Sequence, residues 1–136
     1  MCADAQLVEN PHSILIASTA TSHVGLSRYQ SHAGFLLVFL RAHATDMTDL
    51  GPTRLAAFWR DVQRAGRAID RVYTPRKIDY LIMGHRMPHL HCHVFPQHSH
   101  DDPLRNVDIS EGSVSLDPVP LRGAARAVRE AWEQLC

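Results

Sequence analysis

Between Met87 and Gln97 the chain reads Met-Pro-His-Leu-His-Cys-His-Val-Phe-Pro-Gln, which places three imidazoles two residues apart. On an extended strand His89, His91 and His93 project from one face in steps of about 6.7 Å, and Leu90, Cys92 and Val94 turn toward a core. Three chemistries fit such a row. The first is no chemistry at all, a solvated histidine-rich strand face. The second is a zinc site for a metal-dependent hydrolase, with His89, His91 and His93 as ligands and an open position for water. In-line strand residues are splayed, however, and a tetrahedral site usually draws a ligand from another element. The third is nucleophilic catalysis on phosphorus. An unprotonated ring nitrogen attacks while the other nitrogen donates to a fixed acceptor and a neighbouring histidine handles protons. That arrangement needs no metal and no cofactor, because imidazole and backbone N–H donors can offset phosphoryl charge.

The elements that must hold the row are legible from periodicity. Ser13 to Ala17 is a β-branched-rich run and reads as a strand, followed by a weaker one from about His23 to Tyr29. Gly34 to Leu40 is continuously apolar and of strand length, so it is expected as a central strand buried on both faces. Leu55, Phe58, Val62, Ala65, Ile69 and Val72 then recur at helical spacing. Gly51 and Pro52 offer a start and Thr74-Pro75 a stop for that long helix. Lys77 to Met83 alternates as a strand, Gly84 to Pro88 is a turn, and His89 to Phe95 is the last strand. Residues 97 to 120 read as irregular, and Leu121, Ala125, Val128, Trp132 and Leu135 give a terminal helix. Strands joined by short turns, with helices to cover one face, predict an α+β domain built on an antiparallel five-stranded sheet.

Composition bounds the partners. A chain of 136 residues with 45% hydrophobic and 21% charged residues forms one domain, residues 1–136, with a core at about 10–103 and a loop and helix at 104–136. Fourteen basic side chains cancel fourteen acidic ones, so no global field draws the protein to nucleic acid or to an anionic membrane. The longest apolar run is too short for a bilayer span. Cys2, Cys92 and Cys136 are odd in number with two at the chain ends, which suits a reducing compartment, and no secretory signal opens the chain. A cytoplasmic location is expected.

His89-Leu-His-Cys-His-Val-Phe95 resembles the signature of the histidine triad (HIT) superfamily, three histidines alternating with apolar residues, and Pro96 follows as it often does there. Gly34 to His43 is similar to that family's glycine, apolar strand, basic residue and histidine. Thr48-Asp-Leu50 resembles the start of its long helix, and Met83 to His89 the short loop of a bacterial subgroup. The resemblance covers about residues 10 to 103. It implies a nucleotide hydrolase or nucleotidyltransferase acting at the α-phosphorus of a dinucleoside polyphosphate, a phosphoramidate or an adenylylated conjugate. By the same resemblance His91 attacks phosphorus and forms a nucleotidyl-histidine, His93 helps to protonate the leaving group, and His89 orients the row. A homodimer with sheets joined across the interface is implied as well.

The chain departs from the family pattern where substrate is gripped. Gly84-His85 stands where the subgroup has Gly-Asn, and Gln97 where it has Arg, which removes a fixed charge and a bidentate fork. Phe35 occupies a position where many relatives carry histidine. No Asp or Glu occurs from Pro11 to Thr45, so the usual ribose-binding acid is missing. Either Ser27 or Tyr29 substitutes for it or the bound group is not an ordinary ribonucleoside, and Arg28 beside them is either a solvated strand-end residue or a contact to a second anionic group. His85, Gln97 and Ser27 are therefore the candidate substrate contacts. These departures also leave open a non-catalytic nucleotide-binding protein. His43 is expected to make a structural hydrogen bond, Cys92 to be core, Trp59 and Trp132 to be packing aromatics, and His98, His100, Asp101 and Asp102 to form a polar loop.

Overall fold

The computed structural model describes residues 8–107 and 118–135. Five strands form one antiparallel sheet: β1 (Ser13–Ser18), β2 (Ser22–Ser27), β3 (Leu36–Leu40), β4 (Lys77–Leu81) and β5 (His91–Gln97), in the order β1-β2-β3-β5-β4. Helices α1 (Pro52–Tyr73) and α2 (Pro118–Glu133) lie on one face of it. The α+β architecture is that expected from the sequence. No described helix is long and apolar enough to cross a membrane.

Helix α1 begins at Pro52, whose fixed φ suits the first turn, and ends at Thr74, whose left-handed φ of 44° lets its N–H reach the Asp70 carbonyl. Phe58, Val62, Ala65 and Ile69 form its buried stripe, with Leu55 and Val72 half-buried at either end. They pack on Val24, Leu26, Leu36, Val38, Leu40, Cys92 and Val94 from the sheet, and Leu121, Ala125, Val128 and Trp132 of α2 complete the core. Each large apolar side chain removed from water in this layer contributes about 1.5–3 kcal/mol. The Arg64 guanidinium ties the helices together, lying 4.2 Å from the Trp132 ring and donating at 2.7 Å to the Trp132 carbonyl. Trp59, expected as a packing aromatic, instead stands 39% exposed on the outer side of α1.

Several boundaries differ from the periodicity reading, and those of β3, β2 and β5 have a local reason. Strand β3 starts at Leu36 because Gly34 holds φ at 99° and the Phe35 N–H closes a turn on the His32 carbonyl. A Cβ on Gly34 would come within 2.8 Å of the Tyr73 ring, so only glycine fits there. Strand β2 stops at Ser27, where the Ser27 hydroxyl accepts from the Tyr29 N–H and bends the chain. Strand β5 runs from His91 to Gln97 and excludes His89, whose N–H donates to the Met87 carbonyl in the preceding turn. Pro96 lies beyond Val94, the last β5 residue paired with β3, so its missing N–H costs no bond to that strand. The terminal helix begins at Pro118 rather than Leu121; the expected loop over 108–117, and Cys2 and Cys136, lie outside the described residues.

Candidate active site

The pairing register decides which side chains share the triad's face. Phe39 is opposite His91 and Leu37 opposite His93 across β3 and β5, and Leu81 is opposite His93 across β4 and β5. The face away from the helices therefore carries His91 and His93 together with a buried cluster of Phe35, Leu37, Phe39 and Phe95. Leu90, Cys92 and Val94 face the opposite way into the helical core, as the alternation predicts. Burial pushes the Cys92 thiol up to about 12, so it is a packing group and no nucleophile.

Hydrogen bonds tie the rings of His89 and His91 to the backbone and the ring of His93 to that of His91. His89 Nε2 bonds to the Leu40 carbonyl, and since a carbonyl only accepts, that nitrogen is protonated. His91 Nδ1 donates in the same way to the His89 carbonyl at 2.7 Å. Neutral His91 thus carries its lone pair on Nε2. That atom is 3.0 Å from His93 Nε2, which must be the donor. The resemblance gave His89 an orienting role, and the structure adds the atoms: its ring is anchored by Leu40 and its carbonyl fixes the tautomer of His91. His89 does this from the turn before β5 rather than from the strand.

Aromatic rings wall the pair. Phe39 stacks on His91 at 5.9 Å between centroids. His93 lies nearly parallel to Phe95 at 2° and to Phe35 at 15°, each with centroids 5.7 Å away. His93 Nδ1 is buried and has no hydrogen-bond partner among the described residues. Burial, and secondarily the proximity of His91, pull the His93 pKa down to about 4, so the ring is neutral at pH 7.

The remaining candidates are spread out. Gln97 follows Phe95 on the same face, and its amide donates to Asp79 Oδ2 at 2.9 Å; it borders a 420 Å³ cavity shared with Ser31, His32, His100, Asp101, Asp102 and others. Ser27 is buried and donates its N–H to the carbonyl of Phe35, whose ring stacks on His93. His85 is exposed on the loop before the triad. His43 is exposed with its ring 6.5 Å from His89, and the structural hydrogen bond expected of it is not found among the described residues. Arg28 donates to the Asn10 carbonyl at 2.6 Å and so fastens the segment before β1. His98 and Asp101 organise the loop after β5: the His98 N–H donates to Asp101 Oδ2 and the His98 ring donates to the Ala33 carbonyl. No group of three His, Cys, Asp or Glu among the described residues is arranged to hold a metal ion.

Sequence reasoning did not single out Phe39, the Leu40 carbonyl or Asp79. A strand buried on both faces shows no alternation, so the side facing the triad emerges only with the register.

A five-stranded antiparallel sheet backed by helices, with hydrogen-bonded imidazoles on its other face, makes this an α+β protein whose candidate site lies along a strand. The HIT domain family model matches residues 9–100, and the chain belongs to that family. Among solved structures, a histidine triad protein from Bradyrhizobium japonicum is similar at 21% identity with a TM-score of 0.77, covering 88% of this chain and 90% of its own. A hypothetical histidine triad nucleotide-binding protein from Sulfolobus tokodaii has 16% identity and a TM-score of 0.79 over 98% and 91%. A zinc-bound histidine triad family protein from Mycobacterium smegmatis has 22% identity and a TM-score of 0.73 over 98% and 92%.

Proposed function

We propose that the protein cleaves a nucleoside phosphate derivative at its α-phosphorus through a covalent nucleotidyl-histidine on His91, then passes the nucleotidyl group to water or another acceptor in the cytoplasm. The observation that carries this reading is the bond from His91 Nδ1 to the His89 carbonyl, which leaves the lone pair on the nitrogen facing His93. Substrate must first displace that contact, because one lone pair cannot accept from His93 and attack phosphorus at once. A phosphoryl oxygen takes over the His93 N–H as His91 Nε2 bonds to phosphorus. The imidazole becomes a good leaving group once phosphorylated, so the second displacement regenerates the enzyme. Gln97, His85 and Ser27 are the proposed contacts to the rest of the substrate, with Gln97 the best placed because it lies on the triad's face beside a cavity.

We further propose a homodimer joined at β4. The outer edge of β1 is occupied, since Leu15 donates to the Val8 carbonyl and accepts from Arg129. The outer edge of β4 has no partner strand among the described residues. Beside it Trp59 is 39% and Tyr80 47% exposed, around a 250 Å³ hollow.

Turnover of a diadenosine polyphosphate by wild type and by His91→Ala tests the reaction. A loss of about a thousandfold or more is expected, in the range for removal of a covalent nucleophile; equal rates would end the proposal. The zinc carried by the Mycobacterium smegmatis relative makes a metal-dependent hydrolase the competing reading, and inactivation by EDTA with rescue by zinc would favour it. Binding without turnover would favour a non-catalytic nucleotide-binding protein.

A further inference from the structure

Resting on the proposed reaction at His91, we propose that this site cleaves substrates whose leaving group departs as a stable oxyanion, as in a phosphoric anhydride, in preference to amine leaving groups. The resemblance assigns His93 the protonation of the leaving group, and the geometry of this chain opposes it. His93 uses its Nε2–H toward His91, which leaves Nδ1 to carry the second proton of an imidazolium. That nitrogen is buried with no hydrogen-bond partner among the described residues, on a ring walled by Phe35 and Phe95 with Leu37 and Leu81 opposite it on the adjacent strands. The titratable group in contact with His93 is His91, which disfavours a second positive charge. The lowered pKa of His93 agrees with this geometry.

A neutral imidazole gives a hydrogen bond readily, but giving up its only N–H would produce an imidazolate. Attack by His91 Nε2 therefore forms the N–P bond while the electrons of the breaking P–O bond stay on the departing oxygen. A phosphate or nucleoside diphosphate tolerates that charge, with the His93 N–H as a donor nearby. The nucleotidyl-His91 formed has a cationic ring, protonated on Nδ1 and bonded through Nε2 to a phosphoryl group that keeps its anionic oxygen. When water attacks, its oxygen bonds to phosphorus, the N–P electron pair returns to Nε2, and one water proton passes to solvent. An amine would have to leave as an amide anion, or be protonated by solvent first. Phe35, where many relatives carry a histidine, belongs to the wall that keeps His93 neutral and is a positioning residue in this account.

The test compares the rate of nucleotidyl-His91 formation from diadenosine triphosphate and from adenosine 5′-phosphoramidate at pH 7 in single turnover. The anhydride is expected to react at least about a hundredfold faster, the scale on which general acid catalysis acts. His93→Gln keeps an N–H donor but has no transferable proton, so it is expected to slow the two substrates by a similar factor and to keep the anhydride preference within about tenfold of the wild-type ratio. Equal rates with the two substrates, or a loss in His93→Gln about a hundredfold greater for the phosphoramidate than for the anhydride, would overturn the inference. If His93→Gln does not fold, imidazole nitrogen NMR of the wild type decides: Nδ1 unprotonated at pH 6 supports the inference and a protonated Nδ1 contradicts it. Absence of any His91 adduct from either substrate would refute the reaction itself, a result distinct from a reversed preference.

Discussion

Nε2 of His91 and Nε2 of His93 face each other at 3.0 Å, one as acceptor and the other as donor. Their inequality is created by the backbone, since the His89 carbonyl claims the Nδ1 proton of His91 and no described residue claims His93 Nδ1. Two chemically identical side chains, two residues apart, thereby become a lone-pair donor and a proton-holding neighbour.

The neutral state of His93 has a stability signature. Its pKa is about 4 in the folded protein, against about 6.5 for an unperturbed histidine, so the unfolded chain binds the proton first as pH falls. The contribution is fully present above pH 6.5 and is lost as pH drops from about 6.5 to about 4, by about 3 kcal/mol at most. Urea unfolding of wild type and His93→Gln across this range is expected to show a smaller acid-side loss in the variant. Parallel pH dependences would mean that His93 titrates normally.

Cys92 is expected to stay unmodified under iodoacetamide at pH 8 in the native protein and to react once the chain is unfolded, because its thiol is buried and its pKa is raised to about 12. Mass spectrometry of the tryptic peptide containing Cys92 reads this. Rapid native labelling would contradict the burial of this side of β5.

Gly34→Ala is expected to destabilise the fold by about 2–4 kcal/mol, from the positive φ and the collision of the new methyl group with Tyr73. Denaturant titration measures it. A change below about 0.5 kcal/mol, the level of an ordinary surface substitution, would show that the turn before β3 is not held as described.

Much of this was legible in the chain and some was not. The alternation across Leu90, Cys92 and Val94 identifies the core side of β5, and the helical stripe from Phe58 to Ile69 finds its sheet. The row of three was only partly read, because the turn after Pro88 takes His89 off the strand while its carbonyl remains the anchor of His91. Backbone acceptors such as Leu40 leave no trace in side-chain pattern. The pairing of Gln97 with Asp79 depends on the order of strands, which periodicity does not encode. Ser27 ends β2 and is buried, its N–H held by the carbonyl of Phe35 in the turn before β3, a pairing that side-chain pattern does not encode.

Dimerisation at β4 predicts that Tyr80→Lys and Trp59→Glu, singly or together, shift the protein toward monomer in sedimentation equilibrium. Both residues are partly exposed beside the open strand edge, where an added charge opposes pairing. A wild-type protein that sediments as a monomer at all concentrations would contradict the proposed interface.

The central claim is that a nucleotidyl group bonds covalently to Nε2 of His91. Intact-protein and peptide mass spectrometry of wild-type enzyme, quenched in alkali within the first turnover on diadenosine triphosphate, should show a single adenylyl adduct on the peptide containing His91. The adduct should be acid-labile and absent from His91→Ala. An adduct on His89 or His93, or steady turnover with no protein-bound nucleotide at any time, would contradict the account.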